Sequence, residues 1–177
     1  AALPEEVSAR DVELGPKRPQ ALDDMRVLAP RVIRSLGTHV SVRSDVPDFH
    51  GRDDLDILRQ RAAAAWLLVG GFDVPSLVAL AEESPLIPLA ASGLQSPVAG
   101  KVSAAETFLE ALLLQSSAAS ACPHSLVDAV VRLLSSSWTK CMSQANAATA
   151  SCSQDQVVAI TRVAALAVDS WKAHFVV

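Results

Sequence analysis

The densest collection of chemistry-bearing side chains in this 177-residue chain is Asp45, Asp48, His50, Asp53, Asp54 and Asp56. An imidazole beside several carboxylates supplies the nitrogen and hard oxygen donors that a divalent cation takes. Within the cluster, His50, Asp53 and Asp56 are the candidate ligands, because Asp53 and Asp56 share a face at helical spacing.

Asp53-Asp54-Leu55-Asp56 resembles, in outline, the aspartate-rich helix that carries magnesium for diphosphate substrates. A caged magnesium needs a second acidic helix across the cavity, and the C-terminal segments offer only single carboxylates, Asp128, Asp155 and Asp169. A solvated acidic turn with an N-cap aspartate explains the cluster more simply. No metal or other cofactor is therefore expected.

Nucleophilic chemistry has less to stand on. No serine sits in a Gly-x-Ser-x-Gly elbow, and His39, His50, His124 and His174 form no short ligand pair. Cys122-Pro123-His124 puts a thiol at a helix N-terminus, where the dipole lowers a thiol pKa, but no third orienting group is identifiable. Gly70-Gly71 follows a helical pattern instead of a strand, so it reverses the chain and does not cradle a phosphate. An enzyme is not expected.

The three cysteines, Cys122, Cys141 and Cys152, fit an even disulfide framework poorly. Three thiols in a reducing compartment is the slightly favoured reading, and with it a cytoplasmic over a secreted location. A Cys141–Cys152 bridge joining two helix ends is the alternative. Formal charge is −4 and no basic stripe exists, so a nucleic-acid partner is not expected. No apolar run is long enough for a transmembrane helix.

Charge is unevenly distributed along the chain. Residues 1–60 hold 11 acidic and 9 basic side chains, whereas residues 61–177 hold 8 and 6. A soluble domain is ordinarily about a quarter charged, so the second part is unusually bare. Either its helices are covered on most sides within the domain, or part of their surface meets a second chain.

The elements that carry these residues read as helices. Residues 1–20, with Pro4, Pro16 and Pro19, are expected as an extended arm, and 21–177 as one helical domain. A helix over 21–36 should bury Leu22, Met25, Leu28, Val32 and Leu36, with a kink or split at Pro30. Residues 38–51 read as a loop, although His39 to Arg43 alternate as a short strand would. From Asp53 or Asp54 to Val69, a helix should bury Leu55, Leu58, Ala62, Ala65, Trp66 and Val69. Asp73 caps a shorter helix to Glu83, and residues 84–100 form a Pro- and Gly-containing connection with an apolar inner face.

Three further helices follow. Ser103 with Glu106 and Ser153 with Gln156 have capping-box spacing, opening helices over 103–120 and 153–175. Between them, Pro123 opens a helix to about Gln144 with an apolar stripe from Leu126 through Trp138 to Cys141. These three make an antiparallel C-terminal unit. The expected fold is an all-α, irregular bundle of about five to seven helices.

Function is then best sought on the apolar flanks. Phe108, Leu114, Trp138, Leu166 and Trp171 are the candidate interaction residues, aromatic anchors first. The leading expectation is a non-enzymatic helical interaction or scaffold module that buries an apolar helix face against a protein partner or itself. A secreted helical carrier of a small apolar ligand is the alternative, and a magnesium-dependent enzyme using residues 45–56 is the third.

Overall fold

Two helices begin as their sequences specify. Asp73 accepts a hydrogen bond from the Ser76 amide at 2.9 Å, with Pro75 in the first turn where its missing donor costs nothing. Ser153 and Gln156 close a reciprocal box. The Ser153 amide donates to Gln156 Oε1 at 2.8 Å, and the Gln156 amide donates to Ser153 Oγ at 3.3 Å.

The computed structural model describes residues 17–38, 50–70, 72–118, 124–146 and 152–175. They form an irregular bundle of seven helices, with no strand among the described residues. The helices are α1 Lys17–Thr38, α2 His50–Val69, α3 Val74–Glu83, α4 Leu86–Leu94, α5 Ala99–Ala118, α6 His124–Asn146 and α7 Gln154–Phe175. Most of the expected arm, the His39–Arg43 alternation, Asp45, Asp48 and Cys122 lie outside the described residues.

Several elements differ from their sequence expectation. Helix α1 starts at Lys17 and continues through Pro30 without splitting. The connection expected over 84–100 contains α4, whose Pro88 falls in the first turn and whose Leu86, Ile87, Ala90 and Leu94 are buried. Helix α5 begins at Ala99, so Ser103 lies inside it and its backbone carbonyl accepts from Thr107 Oγ1 at 2.8 Å. The Ser103–Glu106 box does not form. The hydroxyl that turns the chain ahead of α5 is Ser96 Oγ, accepting from the Val98 amide at 3.1 Å. Gly70 closes α2 in the left-handed region at φ 82°, where a side chain is strained.

Helix α5 is the centre of the molecule. It packs most extensively on α2, then on α7 and α4. Val102, Ala105, Phe108, Leu109, Leu112 and Leu113 are all buried on an arc of about 140°, which Ala104 and Ala111 widen to about 200°. Its scarcity of charge follows from that position. The side-chain links give the directions of its neighbours. Asp53 pairs with Lys101 near the starts of α2 and α5, and Gly70 lies beside Gln115 near their ends. Arg162 meets Glu106 at 3.3 Å, and Ser170 and Ser117 share a hydrogen bond at 2.7 Å farther along. Helices α2, α5 and α7 therefore run parallel, side by side, with α5 between the other two.

Helix α6 runs the other way. Gln95 Nε2 donates to Ser137 Oγ at 3.2 Å, and Lys140 Nζ donates to Gln95 Oε1 at 2.9 Å. These bonds set the C-terminal part of α6 beside the start of α5. There the Gln156 amide group also donates to the Ser96 carbonyl at 3.1 Å. The C-terminal helices thus alternate in direction, although α5 packs on α7 far more than on α6. Successive helix pairs, α1–α2, α3/α4–α5 and α6–α7, are stacked with their second members parallel, the packing relation of repeat solenoids.

Close approach of α4 to α5 depends on Gly93. A Cβ there would stand 2.9 Å from Ala105 Cβ and 3.0 Å from the Lys101 carbonyl oxygen. Gly93→Val is expected to lower stability by about 1–3 kcal/mol through overpacking. A thermal midpoint within a degree of the parent would refute that tight crossing. The Asp73 cap gives a smaller expectation. Asp73→Ala should cost about 1 kcal/mol at neutral pH.

That cap is also pH-dependent. Hydrogen bonding to Ser76 holds the Asp73 carboxyl below its ordinary value. Its contribution is complete above the unfolded value and fades as pH falls through the folded one, below about pH 4. Denaturant titrations of the parent and Asp73→Ala should therefore converge in acid.

Candidate interaction surface

The acidic cluster is engaged in local ion pairs. Asp53 pairs with Lys101 across α2 and α5, and Asp56 meets Arg59 at 3.5 Å one turn on. The His50 side chain lies outside the described residues. Among the described residues, no three histidine, cysteine or acidic side chains converge as a metal site would require. What Asp53 does is tie the start of α2 to α5.

Beside it, Gln60 is 2% exposed and its Oε1 has no partner among the described residues. A cavity of about 10 Å³ adjoins Gln60, Gly93 and Lys101. That is close to the minimum volume for one water molecule.

The five interaction candidates separate cleanly. Phe108 is fully buried at the heart of α5 and presents nothing to a partner; it is a core residue. Leu166 is half-buried and packs against the core, on the side of α7 nearer α5. Leu114 is exposed on the outer edge of α5, among Ser103, Thr107 and Ser117. A single leucine among polar neighbours is ordinary protein surface. Trp138 and Trp171 belong to larger features.

On α6, Val131, Trp138 and Met142 are 45%, 42% and 47% exposed and recur at i, i+7 and i+11, which aligns them in one stripe. On α7, Val157, Val168 and Trp171 form a second stripe at helical spacing, 37%, 49% and 49% exposed. Both stripes look away from the rest of the bundle. Lys140 reaches α4 through Gln95, and Trp138, two residues earlier, lies about 160° around the helix from it. Arg162 reaches α5 through Glu106, and the exposed Val168, six residues later, lies about 120° around the helix from it.

The opposite end of the bundle repeats the pattern. Asp53 turns toward α5, and Leu55, two residues on, lies about 160° away. The first half of the stripe expected to be buried on α2 is left open, Leu55 44% and Leu58 63% exposed, whereas Ala62, Trp66 and Val69 are half-buried with Trp66 against the core. The helix fully buries Gln60, Ala63, Ala64 and Leu67. In α1 the expected face is displaced likewise, with Ala29 and Ile33 buried and Met25, Val27 and Leu28 exposed. Between α1 and α2 runs a largely apolar groove of about 540 Å³, lined by Val32, Leu36, Leu55, Leu58 and Ala62 together with Ser35 and Arg59.

Charge is sparser on α6 and α7 than around the α1–α2 groove, which lies in the charge-rich part of the chain. Glu110, beside the α5–α7 seam, has its carboxyl pushed up by burial and then by neighbouring Glu106, with Arg162 opposing. A separate cleft of about 240 Å³ opens between α1 and α3, where Pro30, Phe72 and Leu80 are joined by Arg34. Among the described residues, no helix is long and apolar enough to cross a membrane.

A disulfide joins Cys141, near the end of α6, to Cys152, just ahead of α7, with Cα atoms 5.2 Å apart. It fixes the α6–α7 turn at the edge of the C-terminal stripes. The sequence pointed to Trp138 and Trp171 through their size; it gave no sign of the α1–α2 groove, because Leu55 and Leu58 read as core. No family model, curated protein or solved structure matches this chain.

Proposed function

We propose that this chain is a non-enzymatic helical interaction module whose end faces bury apolar helix flanks against a partner. The observation that carries the reading is the pair of aligned stripes on α6 and α7, each turned away from the contact its own helix makes with the bundle. Exposed aliphatic and aromatic side chains in register over several helical turns make a contiguous face, unlike the single exposed leucine of α5. Tryptophan on such a face is the residue type that dominates binding energy.

A dye-labelled Leu/Lys amphipathic helix with one apolar stripe tests the reading by fluorescence anisotropy. Saturable binding by the parent should be lost in the Val131→Glu/Val168→Glu variant, folding being checked by circular dichroism. Added glutamates strengthen any non-specific attraction for the cationic probe, so loss of binding reports the apolar face itself. Equal binding by both proteins, or none by the parent, counts against it.

A secreted carrier of a small apolar ligand is the second reading, favoured by the Cys141–Cys152 bridge and the α1–α3 cleft. Bridges persist in oxidising compartments, which shifts the proposed location toward secretion. The cleft is smaller than the roughly 300–1,000 Å³ of ordinary ligand pockets, so this reading ranks below the first.

A further inference from the structure

We propose that the partner is a second copy of this chain, docked head to tail, with the α6–α7 end of one copy seated on the α1–α2 end of the next; this rests on the interaction reading above. Both halves of such an interface are present on one molecule, and their shapes differ. The α1–α2 end is concave, a groove of about 540 Å³ between two helices. The α7 flank is a single ridge on which Val157 and Val168 stand exposed on one side of the helix. A ridge of one helix set into the groove between two others is the ordinary way helices pack.

The direction of stacking favours the same arrangement. Inside the bundle, α5 takes α2 on one flank and α7 on the other, all three parallel. Helix α7 uses the flank carrying Arg162 for α5, and its opposite flank carries the apolar ridge. Helix α2 uses the flank carrying Asp53 for α5, and its opposite flank borders the groove. Seating the ridge of one copy in the groove of the next adds one more lateral step to the series α2, α5, α7.

Pairing of like ends lacks this fit. A groove laid on its own twin leaves a void, and the ridge of α7 laid on itself leaves both grooves open. A head-to-tail contact joins unlike patches and, unless the rotation closes a ring, extends to further copies.

Two variants at exposed positions test the geometry, Leu58→Glu in the groove and Val168→Glu on the ridge. Each retains one intact end, so neither alone should self-associate, whereas an equimolar mixture should form a one-to-one dimer and stop there. Sedimentation velocity reads the masses, with unfolding midpoints confirming that both variants fold as the parent does. The parent should form species beyond the dimer as concentration rises, and each variant alone should associate about tenfold or more weakly.

Association abolished by Val168→Glu but retained by Leu58→Glu would mean pairing of like ends and overturn the assignment. So would a parent that stays monomeric at every concentration, or a mixture that remains monomeric. A monomeric parent that still binds the amphipathic peptide through α6 and α7 removes the second copy as partner and leaves the interaction module standing.

Discussion

Phe108→Ala is expected to destabilise the chain by about 3–5 kcal/mol, the range for emptying a buried aromatic site. Phe108 has no exposed surface and lies in α5, against which α2, α4 and α7 all pack. Removing its ring opens a void that rigid neighbours on several sides cannot fill. For a chain of this length the thermal midpoint should fall on the order of 10 °C. Trp138→Ala removes a larger side chain, yet should cost much less, because much of the indole is already in water. The comparison separates core from interface: the first variant should lose stability, and the second should lose association. A Phe108→Ala protein that melts with the parent would show that α5 is not the central helix.

The second large effect concerns the Cys141–Cys152 bridge, which closes a short loop between α6 and α7. In the chain-entropy account, removing a cross-link over a loop of this size costs about 3 kcal/mol, chiefly by freeing the unfolded chain. Reduction, or Cys152→Ser, should therefore lower the melting temperature by roughly 10 °C. Chemistry gives an independent check. Of the three cysteines, one should alkylate in the denatured, unreduced chain and all three after reduction. Three reactive thiols before reduction, in protein made in an oxidising compartment, would remove the bridge and with it the main support for a secreted location.

Legibility in the sequence varied element by element, for identifiable reasons. Ser153 and Gln156 formed their box because α7 begins at Gln154, which leaves Ser153 at the cap position. Ser103 and Glu106 have the same spacing, but Ala99 to Val102 are free to be helical, and Ser96 already turns the chain ahead of them. Helix α4 was concealed by Pro85 and Pro88, which the helix tolerates at its start. Its glycine, Gly93, is required by the close crossing of α5, a tertiary demand that no local pattern announces.

The apolar stripes show a deeper limit. Periodicity reveals which side of a helix is apolar; it does not reveal how many neighbours that side will meet. For α6 the distinction hardly matters, since Leu126, Val127, Val130, Leu133, Leu134 and Cys141 are buried and, of the expected stripe, only Trp138 emerges. In α7 the continuous seam divides: Ile160, Val163 and Ala167 face inward, while Val157 and Val168 remain outside. In α2 Leu55 and Leu58 are outside while Ala63 and Ala64 are inside with Leu67, because small side chains let α2 lie close along α5. The low charge after residue 60 thus has two sources, the central position of α5 and the open flanks of α6 and α7.

The central claim is that those open flanks are covered by another chain. Light scattering on the parent protein across a dilution series tests it most directly. The account predicts a weight-average mass that rises with concentration beyond twice the 18.6 kDa of one chain and returns to the monomer value on dilution. A mass fixed at 18.6 kDa throughout, with no saturable binding of the amphipathic peptide, would contradict it.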